Sequence, residues 1–266
     1  MVVRLVGLAL AWCVLAAVPV SAFAQDEWGH LAGRFVVKGQ IPEATDEVVD
    51  KDAATCMPDG KTPKDDNLIV DKDGGLRDVF VMMFIDRGDK APAVHPSYEA
   101  KKAEAITLDN VQCRFEPHAV FVRTGQKLTL KNSDDVGHNC HVITFGNEEN
   151  VNLAAGGNVD VVFKKSDKVP GNVVCDIHKW MDGVILVRDE PYAAISTADG
   201  KFKIENIPAG KWKFQLWHKK VGFLRDIDVS GTKTGRRGEV ELAIDKGKTL
   251  ELGDLTIEAK VFDVKK

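Results

Sequence analysis

The middle of the chain carries, from residue 175 to residue 181, the run Cys-Asp-Ile-His-Lys-Trp-Met. Its three metal-donor side chains, Cys175, His178 and Met181, follow one another at intervals of three residues. That spacing fits one tight loop between two strands, where a single turn presents all three donors to one ion. The apolar run Gly183-Val184-Ile185-Leu186-Val187 comes soon afterwards and predicts the second of those strands.

A fourth donor lies far upstream, at His138. Two imidazoles, a thiolate and a thioether are the donors of a blue copper centre, in which a trigonal His2Cys plane is capped by a long, weak bond to an axial Met. The Cys175 thiolate would supply the soft bond, and Met181 would tune the potential. The residues therefore predict one type 1 copper ion held by His138, Cys175, His178 and Met181.

The flanking sequence resembles the cupredoxin family, and within it the amicyanin-like and plastocyanin-like members. The run Gly125-Gln126-Lys127-Leu128-Thr129-Leu130-Lys131-Asn132-Ser133 leads into His138-Asn139, and the likeness covers about residues 115 to 188. It implies a cupredoxin-like Greek-key β-sandwich, with His138 as a copper ligand. It also implies that Asn139 holds the loops together from outside the ligand shell.

The same resemblance implies a function in one-electron transfer. In amicyanin-like proteins the loop His reaches the surface through an apolar patch, where electrons enter and leave. We therefore expect His178 to be the exit and Trp180 to belong to the surface on which redox partner proteins dock. Ordinary packing of Trp180 under the loop is the alternative.

A catalytic copper protein is a competing interpretation. Copper nitrite reductases and multicopper oxidases also carry a blue site, which they join to a second copper through a His directly next to the ligand Cys. Here Val174 and Asp176 flank Cys175, and the His-x-His motifs of additional coppers are absent from the sequence. We therefore expect an electron carrier and no enzyme.

Two further alternatives use the same donors without electron transfer. A copper carrier or sequestration protein favours flexible tracts rich in Met and His, whereas the chain has only five Met. A zinc site formed by His138, Cys175, His178 and His141 would suit a tetrahedral ion. Met181 disfavours zinc, which has little use for a thioether.

The remaining histidines give weaker signals. His141 follows His138 by three residues, an odd spacing that turns it to the opposite face of an extended strand. His118 could join a second metal site only together with His141 or His95. We favour a structural role for both His118 and His141.

The first 24 residues are typical of an export signal. Arg4 precedes an apolar run from Leu5 to Val20, and Ala22-Phe23-Ala24 forms a small-residue cleavage site. We expect cleavage after Ala24 and a periplasmic or secreted mature protein with no membrane span. An uncleaved anchor is the alternative, although the apolar run is short for a bilayer span. The formal charge of -4, with both signs interspersed, disfavours nucleic acid as a partner.

Four cysteines follow the predicted signal segment: Cys56, Cys113, Cys140 and Cys175. If Cys175 binds metal, an oxidising compartment predicts one disulfide and one leftover thiol. We expect Cys56 to pair with Cys113. A Cys113–Cys140 bond, or Cys140 as a small buried apolar residue near the metal, remains open.

Short β-rich runs bounded by Gly, Asp and Pro predict an all-β protein. Expected strands include residues 34–38, 67–70, 79–85, 119–123, 127–131, 159–163, 172–175 and 184–188, and after Pro191 residues 193–197, 201–207, 211–218, 223–229, 239–244 and 249–257. Asp73-Gly74-Gly75 predicts a hairpin turn, and residues 95–105 predict a short helix or an irregular connection.

The second series of strands resembles carboxypeptidase-regulatory-like domains, which are small transthyretin-like β-sandwiches. The motifs are Thr197-Ala198-Asp199-Gly200-Lys201-Phe202 and Ile207-Pro208-Ala209-Gly210. The expected domains are a signal peptide at 1–24, a copper domain with an N-terminal extension at 25–190 and a smaller β-sandwich at 191–266. We expect the extension to add edge strands to the copper sandwich.

Overall fold

The computed structural model describes residues 27–263, and most of its regular elements are strands. In chain order they are Trp28–Lys38 (β1), Phe80–Phe84 (β2), Ile106–Asn110 (β3), Phe115–Glu116 (β4), Ala119–Arg123 (β5), Lys127–Asn132 (β6), His138–Ile143 (β7), Glu148–Leu153 (β8), Asn158–Val162 (β9), Gly171–Val174 (β10), Asp182–Arg188 (β11), Ala193–Ile195 (β12), Lys201–Pro208 (β13), Gly210–His218 (β14), Gly222–Phe223 (β15), Asp228–Val229 (β16), Thr232–Lys233 (β17), Glu239–Ile244 (β18) and Thr249–Glu258 (β19). The helices are Ala53–Cys56 (α1), Ser97–Ala103 (α2) and a 3-10 helix at Ala259–Phe262. The all-β class is confirmed.

The first sandwich, residues 106–188, consists of a five-stranded sheet in the order β5-β11-β10-β7-β8 and a four-stranded sheet in the order β4-β3-β6-β9. Alternation along β6 shows how the layers form, because Leu128, Leu130 and Asn132 are buried while Lys127 and Lys131 are exposed. The buried side chains of the two sheets form one apolar cluster. This part of the chain has the cupredoxin-like architecture that the sequence predicts.

The second sandwich combines strands from both ends of the chain. One sheet has the order β13-β1-β19, and the other has the order β12-β2-β14-β15 with β18 beside β14. Its core unites Leu31, Phe35 and Met83 from the N-terminal part with Tyr192 and Phe214 from the C-terminal part. Each of the two sheets therefore contains an internal strand that comes from the N-terminal region.

This pairing corrects the expected domain organisation. Residues 28–38 and 80–84 add no edge strand to the first sandwich, and the C-terminal strands do not form a β-sandwich by themselves. A boundary near residue 190 separates the two series of strands in sequence but not the two packed units. The physical reason is that β1 pairs along its length with β13 and β19, which buries its inward side chains.

The two sandwiches meet through strands that are buried on both faces. In β2, Val81 and Met83 point into the second core, whereas Phe80 and Met82 join a separate apolar cluster. In β11, Ile185 and Val187 face the first core, whereas Val184 and Leu186 join that same separate cluster. The continuous apolar runs of β2 and β11 are explained by this double burial.

Other expectations from the sequence have mixed outcomes. Of the two possibilities expected for residues 95–105, a short helix or an irregular connection, the structure shows the helix, α2. Residues 71–75 do form a turn, with Gly74 at φ 82° and a single antiparallel bridge between Val70 and Leu76. The prediction of a strand at residues 67–70 is wrong, because only Val70 takes part in a bridge there. The strand expected at residues 223–229 is interrupted between β15 and β16.

The expected disulfide is confirmed, since Cys56 and Cys113 are bonded with their Cα atoms 5.0 Å apart. Cys140 and Cys175 are free thiols, and both are buried. The predicted signal segment lies outside the described residues. Between residues 27 and 263, none of the helices has the length and apolar character needed to cross a membrane.

Residues 191–266 expressed as an isolated fragment are expected to remain unfolded. The fragment lacks β1, which lies between β13 and β19, and β2, which lies between β12 and β14. Thermal unfolding followed by circular dichroism tests this, with residues 25–266 as the control. A cooperative transition in the fragment would show that the C-terminal strands form a self-sufficient domain.

Removing the disulfide by a paired Cys56→Ala and Cys113→Ala change is expected to lower the free energy of unfolding by about 2–5 kcal/mol. The bond joins residues separated by 57 positions, and its loss frees that segment in the unfolded chain. Denaturant titration of the metal-free protein measures the effect, and Cys140→Ala is the matched thiol control. An unchanged midpoint for the double variant would contradict this role.

Candidate metal centre

Three neighbouring strands of one sheet deliver the predicted donors to the same end of the first sandwich. His138 is the first residue of β7, Cys175 directly follows β10, and Met181 directly precedes β11. The sheet order β11-β10-β7 places these strand ends side by side. Antiparallel pairing of β10 with both neighbours explains why residues so distant in sequence meet.

Backbone hydrogen bonds close the loop between β10 and β11. The Cys175 N–H donates to the Met181 carbonyl at 3.1 Å, and the Met181 N–H donates to the His178 carbonyl at 2.9 Å. The His178 N–H points at the Cys175 sulfur, 3.4 Å away. The three-residue spacing seen in the sequence therefore does correspond to one tight turn.

The ring nitrogens and the thiol converge on one small space. Nδ1 of His138 lies 2.9 Å from Nδ1 of His178, and the Cys175 sulfur lies 3.9 Å and 3.8 Å from these two nitrogens. Metal bonds of about 2.0–2.1 Å to nitrogen and about 2.3 Å to sulfur separate the donors of one ion by about 3–4 Å. The triangle has the dimensions of one shared ion.

Two carboxylates set the direction of the imidazole lone pairs. Nε2 of His138 lies 2.8 Å from Oδ2 of Asp134, and Nε2 of His178 lies 2.8 Å from Oδ2 of Asp52. When a carboxylate accepts the Nε2 proton of each neutral ring, each Nδ1 is left with a lone pair directed at the other ring. Such carboxylate–histidine pairs are typical behind metal-ligating imidazoles, and the residues present therefore fit a copper ion.

Burial shifts the pKa values of His138 and of the nearby Cys140 thiol in opposite directions. Burial of the His138 side chain lowers its pKa, which favours the neutral imidazole that a metal needs. Burial raises the pKa of Cys140 to about 12, so this residue remains a thiol at neutral pH. Cys140 packs in the core of the first sandwich. It is therefore a small buried apolar residue, which was one of the alternatives that the sequence left open.

Met181 and Asn139 occupy supporting positions at this centre. Met181 is buried in the first core at the end of the ligand loop. The Asn139 Oδ1 accepts the Asp176 N–H at 2.7 Å and faces the Cys175 sulfur at 3.4 Å. Its Nδ2 donates to Asp176 and to Asn150, each at 2.8 Å. Asn139 thus connects β7 to the ligand loop and to β8.

His178 does not reach the surface, contrary to the expectation from the resemblance. Its side chain is fully buried, and Asp52, whose own side chain is 41% exposed, covers its Nε2. The sulfurs of Cys56 and Cys113 lie within 4.8 Å of a His178 nitrogen. Trp180 is partly buried, with its ring centre 5.1 Å from that of His178. The segment carrying α1 therefore forms a cover over the imidazole.

The structure also locates the histidines for which a structural role was favoured. His141 stands apart from the donor triangle, with Nδ1 at 3.2 Å from Asp176 and Nε2 at 3.7 Å from Glu148. His95 makes a hydrogen bond with Ser97. Within residues 27–263, His118 forms no contact of this kind with His141 or His95; Asp66, Asp78 and Asp182 surround it instead.

Sequence reasoning missed the two carboxylates behind the ligands. For Asp134 the sequence did offer a signal, because this residue precedes His138 by only four positions. In the structure Asp134 also accepts the backbone N–H groups of Gln112 and Cys113. Asp52 had none, since 126 residues separate it from His178. Only the folded chain brings that residue to the centre.

The chain is similar in part to solved copper proteins. A Cu-containing nitrite reductase (NirK) from Thermus scotoductus SA-01 is 23% identical, with a TM-score of 0.28 over 39% of this chain and 24% of the reductase. A purple cupredoxin from Nitrosopumilus maritimus is 23% identical, with a TM-score of 0.27 over 31% of this chain and 97% of the cupredoxin. A reduced Cu(I) form of an amicyanin variant is 19% identical, with a TM-score of 0.28 over 41% of this chain and 98% of amicyanin. The chain thus spans about a quarter of the reductase. No family model and no curated protein matches the chain.

Replacing the covering carboxylate by Asp52→Asn is expected to weaken copper binding about 10–100-fold. The amide keeps the shape and tolerates the left-handed backbone at φ 48°, but it removes the negative charge behind His178. Competition with a copper chelator measures the change, and Asp50→Asn at an exposed neighbouring position is the matched control. Equal affinities for the two variants would exclude a role of Asp52 at the metal.

Proposed function

We propose that this protein is a mononuclear type 1 copper protein that acts as a one-electron carrier. The observation that supports the proposal is the buried triangle of two Nδ1 atoms and one thiol sulfur, with a carboxylate behind each imidazole. When bound, copper would supply reversible one-electron chemistry between Cu(I) and Cu(II). His138, Cys175 and His178 would hold the ion, and Met181 would tune its potential as a weaker ligand.

The chain's own contribution is a fixed set of donors in a dry site. His138 is 1% exposed, Cys175 2% and His178 0%, so that water has little access to the space between them. The strand ends and the closed loop hold these positions, and Asn139 reinforces the loop. A carrier benefits from this rigidity because donors that scarcely move between oxidation states allow fast transfer.

We infer that redox partner proteins dock near His178 and Trp180. Because His178 is buried, the path to the surface would run through its hydrogen bond to Asp52, whose side chain is partly exposed. Trp180 would line the same face beside the imidazole. On this proposal the protein works outside the cytoplasm and has no enzymatic activity of its own.

A copper carrier or sequestration protein is the alternative function. Release of metal from such a protein requires donors that open readily to solvent. The buried donors, the Asp52 cover and the nearby Cys56–Cys113 bond favour a retained ion. We therefore place electron transfer ahead of copper delivery.

The mature protein loaded with Cu(II) is expected to show an intense thiolate-to-copper absorption in the visible range and a narrow copper hyperfine splitting in its EPR spectrum. Both features arise from a short covalent bond between copper and a thiolate in a trigonal plane. Visible and EPR spectroscopy at one equivalent of copper provide the measurement. Cys175→Ala should abolish both features.

Cys140→Ala is the matched control, since it removes a buried thiol of the same sandwich that lies outside the donor triangle. Its spectra should equal those of the parent protein. A pale, tetragonal Cu(II) spectrum in the parent protein would contradict the type 1 assignment and would favour the carrier function.

A further inference from the structure

A second group of donors lies at the junction of the two sandwiches, away from the copper triangle. Nε2 of His118 faces Oδ1 of Asp66 and Oδ1 of Asp182, each at 3.8 Å. One donor atom from each of these three residues lies within 4.8 Å of the other two. The His118 side chain is only 2% exposed, so the group is shielded from bulk water on its nitrogen side.

The distances in this group are wrong for hydrogen bonds. A protonated imidazole beside carboxylates closes to about 2.7–2.9 Å, whereas Nε2 of His118 stays equally far from two oxygens. Among the described residues, neither this nitrogen nor Oδ1 of Asp182 has a hydrogen-bond partner. Buried polar atoms are rarely left in this state without an unseen water or ion. Two ligands of one ion, at metal bonds of about 2.0–2.2 Å, are separated by similar distances.

Each of the three donors is oriented from behind by a further side chain. Nδ1 of His118 lies 2.8 Å from Oδ2 of Asp78, which directs the Nε2 lone pair towards the carboxylates. Arg114 binds Oδ2 of Asp66, and Lys219 lies 2.7 Å from Oδ2 of Asp182. In both carboxylates the outer oxygen is thereby occupied and Oδ1 is left to face His118. This is the support that ligating residues receive around protein-bound metals.

The surrounding carboxylates favour positive charge at this position. Although burial opposes it, Asp182 and Asp78 raise the pKa of His118 to about 9, so a metal ion bound there would take the place of the proton on Nε2. The acidic members outnumber the basic ones when His118 is neutral; the acidic residues are Glu47, Asp65, Asp66, Asp78 and Asp182, and the basic residues are Arg77, Arg114, Lys219 and Lys220. A buried group of this kind gains stability from positive charge placed among the carboxylates. The donor geometry selects the position between His118, Asp66 and Asp182.

We propose that His118, Asp66 and Asp182 form a second metal site, which binds one divalent ion of the zinc class. One imidazole and two carboxylates suit zinc, which binds both donor types at about 2.0–2.2 Å. Oδ1 of Asn67 is another buried oxygen without a partner among the described residues, and the amide nitrogen of the same side chain lies 3.4 Å from Oδ2 of Asp182. The site contains no thiolate, which separates it chemically from the copper centre.

The position of this site gives it a structural role. His118 and Asp182 belong to the first sandwich, where they lie at the beginning of the parallel pair β5 and β11. Asp78 lies two residues before β2, and Lys219 directly follows β14. Both of these strands belong to the second sandwich. An ion at His118 would therefore join the two sandwiches at one end of their apolar contact.

Zinc binding to the mature protein tests this proposal, with Cys175→Ala as the background that removes the thiolate of the copper centre. Isothermal titration should give one zinc equivalent in this background. Adding His118→Gln or Asp66→Asn should weaken that binding at least about 100-fold, since each removes a ligand. Asp78→Asn, which removes only the orienting carboxylate, should weaken it about 10–100-fold.

His141→Gln is the matched control, because His141 also lies between two acidic side chains but outside both groups of donors. It should leave the zinc stoichiometry and affinity unchanged. Circular dichroism shows whether each variant is folded, and Asp66→Asn, in a partly exposed loop, decides the result if His118→Gln does not fold. Zinc should also raise the melting temperature of the Cys175→Ala protein but not that of its Asp66→Asn derivative.

Cobalt(II) as a probe separates this proposal from the copper assignment. At the second site Co(II) should show weak visible bands without sulfur-to-cobalt charge transfer, with or without Cys175. Absence of zinc and cobalt binding in the Cys175→Ala background would overturn the second site while leaving the copper proposal intact. Binding that persists unchanged in both His118→Gln and Asp66→Asn would overturn it as well.

Discussion

Two ring nitrogens that face each other across 2.9 Å form the contact on which the candidate metal centre depends. Asp134 and Asp52 accept hydrogen bonds from the Nε2–H groups of His138 and His178, so the Nδ1 lone pairs of both rings are directed into the same space. Without a cation these lone pairs and the Cys175 sulfur would repel one another in a site of low polarity. The β-sandwich holds them together because three adjacent strands end there.

The N-terminal region belongs to both halves of the molecule. Its strands β1 and β2 are internal to the two sheets of the second sandwich, whereas the segment from Asp52 to Cys56 covers His178 in the first. The Cys56–Cys113 bond fixes that cover to the loop after β3. A metal centre that would otherwise open at the surface is therefore enclosed by a segment far away in sequence.

The contact between the sandwiches has an apolar part and a charged part. In the apolar part, strands β2 and β11 contribute Phe80, Met82, Val184 and Leu186 to one buried cluster between the sandwiches. The aspartate-rich group around His118 lies where the same strands begin. Burial of apolar surface supplies most of such an association, while oriented charges fix the relative position of the two units.

The sequence by itself determined the local features. Its three-residue spacing predicted the tight turn between β10 and β11, His138 was predicted as the upstream residue that meets this turn, and two-residue alternation identified many strands. The tertiary structure alone decided that β1 and β2 complete the second sandwich, and it alone placed Asp52 behind His178 and Asp66 beside His118. Periodicity records which face of a strand is buried, but not which distant strand it pairs with, because hydrogen bonding between backbones is the same for any partner.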